Sequence, residues 1–165
     1  MIANLEALKV ILPTHRYLKK FMDTEVGVSP DFTLTTENLY GLFLYNLLGH
    51  AQWKNGIRTT YNDQIKIIIP PGYVTHNKHE LTDSDIDYYN TFLYNQFNNE
   101  FINQMKLCDM FGLRHDKSIE LFCARYKIEL EVDITYEALK KRYQRYRQLH
   151  GEPRKKFIID YKKYA

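Results

Sequence analysis

The sequence predicts a mainly helical α+β protein with a small hairpin-based sheet in its N-terminal half. Apolar residues recur at intervals of three and four through most of the chain, whereas residues 53–69 are rich in β-branched residues and turn signals. The chain has 165 residues, 44% of them hydrophobic and 15% aromatic, which suffices for a buried core without disulfide or metal support. We therefore expect a folded protein.

Three helices are expected before the sheet. Leu5, Leu8 and Leu12 lie at helical spacing, which predicts a helix over residues 4–12 that ends at Pro13. A short helix over residues 15–22 follows, and after a loop a third helix begins at Thr35 or Thr36 and runs to about residue 48, where Gly49 ends it.

The predicted sheet is built on a hairpin. The Asn-Gly pair within Trp53-Lys-Asn-Gly-Ile57 is typical of tight hairpin turns. Residues 58–61 and 64–69 are apolar or β-branched, and Pro70 and Pro71 stop the second run. The strands are few, so the sheet is expected to be small.

The C-terminal half is predicted to be helical. Apolar residues from Ile86 to Met105 recur at helical intervals and predict a long helix over residues 82–112. A second helix is expected to begin at Asp116 or Ser118 and to reach residue 126. The acidic connector 129–133 then leads to Thr135, which is expected to cap a last helix that ends at Gly151. We divide the chain into residues 1–80, residues 81–150 and a basic tail, residues 151–165.

Positive charge is concentrated at the C-terminal end. Residues 137–165 contain ten Lys or Arg and three acidic residues, a net charge of +7, whereas residues 1–136 carry a net charge of −4. A cationic segment on an otherwise acidic chain indicates a polyanionic partner. The last helix and the tail are therefore the candidate binding segments.

The last helix is predicted to be amphipathic. Tyr136, Leu139, Tyr143 and Tyr146 are spaced to face the protein, so that cations and amides are left to face solvent. Guanidinium, ammonium and amide groups bind phosphate oxygens and base edges in the major groove. We predict that Lys141, Arg142, Arg145 and Gln148 contact the bases. The full set of predicted nucleic-acid-binding residues is Lys140, Lys141, Arg142, Gln144, Arg145, Arg147, Gln148, Arg154, Lys155 and Lys156.

The last two helices have the outline of a helix-turn-helix, with the second helix in the reading position. The connector between them is longer than the compact turn of that motif, and its residues Glu129, Glu131 and Asp133 bring negative charge close to a bound phosphate backbone. If the protein reads a palindrome, it is expected to dimerise through the long helix, because two-fold proteins match two-fold sites.

The run from Lys140 to Arg147, KKRYQRYR, follows an acidic connector in a chain rich in Tyr, Asn, Ile and Lys. With this motif and this composition, the last third of the chain resembles uncharacterised small proteins of Bacteroidetes phages and mobile elements. The resemblance implies either a DNA-binding regulator or a virion or packaging component. It implies no particular functional residue.

A second hypothesis is an oligomeric structural or adaptor protein, such as a head-to-tail or capsid-associated component that binds other virion proteins. In that case the basic helix is solvated or pairs with acidic groups of neighbouring subunits. Both hypotheses expect self-association, to a dimer or a higher oligomer. Light scattering and salt-dependent DNA binding distinguish them.

The sequence contains few motifs that would indicate a catalytic site, a cofactor site or a metal site. His76 and His79 lie in a predicted loop without the helical spacing of a zinc protease motif, and Asp63 and Lys66 lack the second acid of a nuclease strand. Glycine-rich phosphate loops and nucleophile motifs are absent from the sequence. We predict a non-enzymatic protein with no cofactor.

The two cysteines are expected to be buried free thiols. Cys108, His115 and Cys123 lack the close Cys-x-x-Cys pair of a zinc site, so no metal is predicted. The N-terminus lacks the pattern of a signal peptide, and no apolar run approaches the length of a membrane span. A cytoplasmic location, in the host cell or in a virion, is expected.

Overall fold

The computed structural model describes residues 7–27, 31–49, 60–73 and 81–150. These residues form five α-helices and one three-stranded sheet, which confirms the predicted mainly helical α+β class with a small sheet in the N-terminal half. In chain order the elements are β1 (Leu8–Thr14), α1 (Arg16–Val26), β2 (Phe32–Thr33), α2 (Leu39–Gly49), β3 (Asp63–Ile69), α3 (Asp83–Met110), α4 (His115–Arg125) and α5 (Tyr136–His150).

The chain divides into two compact units between Asn95 and Gln96, within α3. The N-terminal unit holds the sheet, α1, α2 and the first part of α3. The C-terminal unit holds the remainder of α3 together with α4 and α5.

The sheet has the strand order β1-β3-β2. β3 pairs antiparallel with β1, from Leu8 opposite Ile69 to Thr14 opposite Asp63, and parallel with the two-residue β2. Alternate residues of a strand point to the same face of the sheet, and one of the two faces is buried. The buried apolar residues on this face are Val10, Leu12, Phe32, Ile65, Ile67 and Ile69.

The predicted helix over residues 4–12 is wrong for its described part, because Leu8–Thr14 is a strand. A spacing of four places Leu8 and Leu12 on one face of a helix, but four is an even number, so it also places them on one face of a strand. Val10 joins them on the buried side, and Ile11 adds a second β-branched residue. Pairing along all seven residues with β3 decides the conformation.

The apolar run predicted over residues 64–69 is confirmed as β3. Its described partners, β1 and β2, are distant in sequence, which the sequence pattern did not indicate. The predicted hairpin turn at residues 53–57 lies outside the described residues, and residues 60 and 61 are not part of a strand.

Asn90 of α3 holds the end of β1. Its side-chain amide donates to the carbonyl oxygen of Pro13 at 2.8 Å, and its oxygen accepts a 2.6 Å hydrogen bond from the hydroxyl of Thr14. Asn90 and Thr14 are both buried. A buried amide is stable only when its polar groups are bonded, so this contact fixes β1 against α3.

The C-terminal unit has an aromatic core. Phe97 and Phe101 of α3 contact Phe122 of α4 edge to face, with ring centroids 5.4 and 5.1 Å apart. The predicted helices of this unit are confirmed, as is the capping role of Thr135, whose hydroxyl accepts a 3.2 Å hydrogen bond from the backbone N–H of Ala138.

Candidate nucleic-acid interface

The inner face of α5 packs on the C-terminal unit. Leu139 and Tyr143 are buried, and Tyr136 and Tyr146 are half-buried. All four lie on the side that their spacing predicted, so the orientation of the helix is confirmed.

The outer face of α5 carries the exposed carboxylate of Glu137 and four further exposed polar side chains, which we call the basic stripe: Lys141, Gln144, Arg145 and Gln148. Their spacing of three, one and three residues places them on one side of the helix. Within the described part of the chain, every ion pair involves other residues, so no carboxylate neutralises Lys141 or Arg145.

Lys140 and Arg147 flank the basic stripe and are half-buried. The ammonium of Lys140 is 3.2 Å from a carboxylate oxygen of Glu137 and 5.8 Å from the centroid of the Tyr136 ring. The guanidinium of Arg147 is 5.9 Å from the centroid of the Tyr143 ring. Exposed pairs of this kind are weak, so both cations remain able to approach a phosphate.

Arg142 does not face solvent, which corrects its predicted orientation. Its guanidinium carbon is 5.3 Å from the centroid of the Phe97 ring, and the side chain is half-buried. Position 142 is three residues after buried Leu139 and one before buried Tyr143, so the helix turns it inward. This placement does not favour the base-reading role predicted for Arg142, which stays a prediction. The predicted tail residues Arg154, Lys155 and Lys156 lie outside the described residues.

The carboxylate of Asp109 bonds to side chains of both α4 and α5. Asp109 of α3 accepts a 2.5 Å hydrogen bond from the hydroxyl of Tyr143, and its other oxygen is 2.8 Å from Nε2 of His115, the first residue of α4. Three helices thus meet at one side chain. The sequence analysis missed this site, because the only signal was a polar residue near the end of a long apolar face.

The connector acids are largely engaged in local structure. A carboxylate oxygen of Glu131 accepts from the backbone N–H of Tyr136 at 2.9 Å, and one of Asp133, a buried residue, accepts from that of Glu129 at 2.8 Å. The first bond satisfies an amide at the start of α5, where negative charge is favourable. These two carboxylates therefore serve the connector itself.

The other candidate sites are not assembled in the described residues. A carboxylate oxygen of Asp63 is 3.7 Å from Nε of Arg16. Lys66 lies three residues further along β3 and therefore projects from the other face of the sheet, so Asp63 and Lys66 do not form one site. Cys108 and Cys123 are buried free thiols, as predicted, and burial raises the pKa of Cys123 to about 11. His76 and His79 lie outside the described residues. No group of three or more metal-ligating side chains occurs in the part of the chain that the structure describes.

Comparison with protein families, curated proteins and solved structures gives no match to this chain. Among the described helices, none has both the length and the apolar character needed to cross a bilayer.

Proposed function

We propose that this chain is a non-enzymatic DNA-binding protein that contacts DNA through the outer face of α5. The basic stripe is the observation that carries the proposal. Two cations and two amides are exposed on one helix face, and the carboxylate on that face, Glu137, pairs with Lys140 rather than with Lys141 or Arg145. A helix presenting such groups has the width and chemistry to enter a major groove.

The two kinds of side chain in the basic stripe have different roles. Lys141 and Arg145 neutralise phosphates or bind guanine, whereas Gln144 and Gln148 present amides that match the donor and acceptor edge of adenine. Lys140 and Arg147 add phosphate contacts beside the basic stripe. Arg142 stabilises the packing of α5 on α3 through its contact with the ring of Phe97.

The setting of a phage or mobile element, and a location in the host cytoplasm, belong to the same proposal. They are supported by the resemblance of the KKRYQRYR run. Asp109 of α3 bonds to His115 of α4 and to Tyr143 of α5, which would hold α5 in a fixed orientation against DNA.

A fluorescence-anisotropy titration with duplex DNA tests this function. Lys141→Ala with Arg145→Ala is expected to weaken binding about tenfold or more, because phosphate contacts dominate affinity. The matched control, Lys9→Ala with Lys66→Ala, removes the same charge from two exposed positions of the N-terminal unit and is expected to bind almost as well. Equal loss in both variants would show charge attraction without a site, and no loss in the stripe variant would reject the proposal.

The second candidate is an oligomeric structural or adaptor protein, and a different surface supports it. The end of α3 and the turn after it expose four large apolar side chains: Leu107 (53%), Met110 (63%), Phe111 (68%) and Leu113 (41%). Four large apolar side chains exposed within residues 107–113 are more than a folded surface usually shows singly, which favours a protein interface. It is compatible with DNA binding if it joins two copies of the chain.

Light scattering separates these possibilities. Met110→Ser with Phe111→Ser is expected to shift an oligomer toward the monomer, because apolar contacts at the centre of an interface dominate its stability. Leu149→Ser, which removes an 82% exposed leucine elsewhere in the C-terminal unit, is the control. A wild-type chain that is monomeric at high concentration would reject the adaptor function.

A further inference from the structure

An acidic residue lies on the same helix face as the basic stripe. Glu137, the second residue of α5, is exposed and lies four residues before Lys141. Because each residue of a helix turns the chain by about 100°, Glu137 falls between Gln144 and Gln148 in angular position, about 20° from each. Along the helix axis it is about 6 Å from Lys141, which is about two base-pair steps of duplex DNA. A helix that places the basic stripe in a groove therefore brings this carboxylate into the same groove.

The carboxylate of Glu137 pairs with Lys140. The ammonium of Lys140 donates to Oε1 of Glu137 at 3.2 Å, and the two side chains are 42% and 59% exposed. An ionised carboxylate offers about four acceptor sites, so this pair leaves Glu137 able to accept further hydrogen bonds. The ammonium also offsets part of the repulsion between the carboxylate and a phosphate backbone. Glu137 can therefore approach DNA as a hydrogen-bond acceptor.

The chemistry of a carboxylate limits what Glu137 can bind in a major groove. An ionised carboxylate only accepts hydrogen bonds, whereas phosphate oxygens, guanine O6 and N7 and thymine O4 are themselves acceptors. Adenine presents its amine beside the acceptor N7, which repels a carboxylate. Cytosine presents the N4 amine with no acceptor of its own beside it. Of the four bases, cytosine is therefore the one that matches Glu137.

We infer that Glu137 is a specificity-determining residue of α5 that accepts a hydrogen bond from the N4 amine of a cytosine in duplex DNA. The inference rests on the proposed DNA-binding function of this helix and adds a base contact to those of the basic stripe. In helix-turn-helix proteins, residues near the N-terminus of the recognition helix contact base edges. Glu137 lowers the affinity for sites without a cytosine at this position, because its carboxylate then faces acceptors without a hydrogen bond.

Glu137 also stabilises the protein in two ways that do not involve DNA. An acid in the first turn of a helix is favoured by the partial positive charge of the N-terminus, and the pair with Lys140 adds a weak ion pair. Neither effect depends on the sequence of a DNA site. Glu120 of α4 provides the matched control, because it is exposed and pairs with Lys117, likewise three residues away, at 3.0 Å. Glu120→Gln thus removes the same charge and the same kind of pair from a helix without the basic stripe.

Selection of binding sites from a random duplex library with the full-length protein tests the inference. The wild type and Glu120→Gln are expected to enrich sites in which one position is fixed as cytosine. Glu137→Gln is expected to change that position to adenine, because a side-chain amide matches the N6 and N7 edge of adenine. Glu137→Ala is expected to leave the position unselected. All three substitutions are at exposed side chains, so the variants should remain folded.

Fluorescence anisotropy on the enriched site measures the size of the effect. Replacing the selected C·G pair by T·A is expected to weaken wild-type binding at least about fivefold, and binding of Glu137→Ala less than about twofold. A cytosine that both Glu137 variants still select would overturn the inference, as would a wild type that binds duplex DNA but enriches no cytosine. A wild type that does not bind duplex DNA would reject the proposed function of α5, and the inference with it.

Discussion

The hydroxyl of Tyr143 donates a 2.5 Å hydrogen bond to Asp109, although the two residues are 34 positions apart in the chain. Tyr143 is 2% exposed, and Asp109 also contacts His115 at 2.8 Å. This arrangement fixes the rotation of α5 about its own axis, which decides that Lys141 and Arg145 face solvent. The exposed face of the helix therefore depends on a partly buried contact.

We expect Tyr143→Phe to destabilise the protein by about 1–2 kcal/mol, because it removes a hydrogen bond to a charged group while keeping the ring. Urea unfolding measures the effect. Tyr146→Phe is the control, since the hydroxyl of Tyr146 forms no hydrogen bond in the described part of the chain. Equal stability of the two variants would contradict the role assigned to Asp109.

Arg142→Ala and Arg145→Ala are expected to differ in their effect on stability. Arg142→Ala removes a guanidinium packed on Phe97 and should lower the free energy of unfolding by about 1–2 kcal/mol. Arg145→Ala removes an exposed side chain and should change stability by about 0.5 kcal/mol or less. Thermal unfolding distinguishes them, and an unchanged melting temperature for Arg142→Ala would show that this contact contributes little.

Gly41 lies where α2 passes close to the preceding backbone. A Cβ atom at this position would be 1.9 Å from the carbonyl oxygen of Thr35, so Gly41→Ala requires a backbone shift and should cost about 1–3 kcal/mol. Gly72→Ala is the control, because a Cβ there meets nothing within 4 Å. Chemical denaturation of the two variants measures the difference. Similar stability would show that α2 relaxes freely.

His15 is expected to make the protein less stable in mild acid. Burial lowers the pKa of its imidazole below the ordinary value, so the unfolded state takes up a proton first as the pH falls. Stability should therefore decrease as the pH falls through about 6.5, the ordinary value for histidine. Melting temperatures at pH 7.5 and 5.5 should differ less in His15→Gln than in the wild type. The same difference in both proteins would exclude His15 as the cause.

The sequence predicted the helices well, because each has an apolar face repeated over several turns. It failed at β1, where the even spacing of Leu8 and Leu12 fits a helix and a strand equally, and only pairing with β3 decides between them. A strand of two residues, such as β2, carries too little pattern to be predicted from sequence.

The candidate site was predicted in part. Lys141, Gln144, Arg145 and Gln148 are exposed, as their spacing indicated, but Arg142 was assigned to the wrong face because its charge was given more weight than its position beside Leu139 and Tyr143. The Asp109 contact joins side chains from three helices, and no pattern within one helix predicts a contact between helices.

The most direct test of the central claim is the salt dependence of DNA affinity. The logarithm of the binding constant should fall linearly with the logarithm of salt concentration, by about 0.9 for each phosphate contact. Lys141→Ala with Arg145→Ala should remove about two phosphate contacts and so reduce the magnitude of this slope by about 1.8. Lys9→Ala with Lys66→Ala should leave the slope unchanged. A stripe variant with the wild-type slope, or a wild-type protein without salt-dependent binding, would contradict the assignment of α5 as the DNA-binding surface.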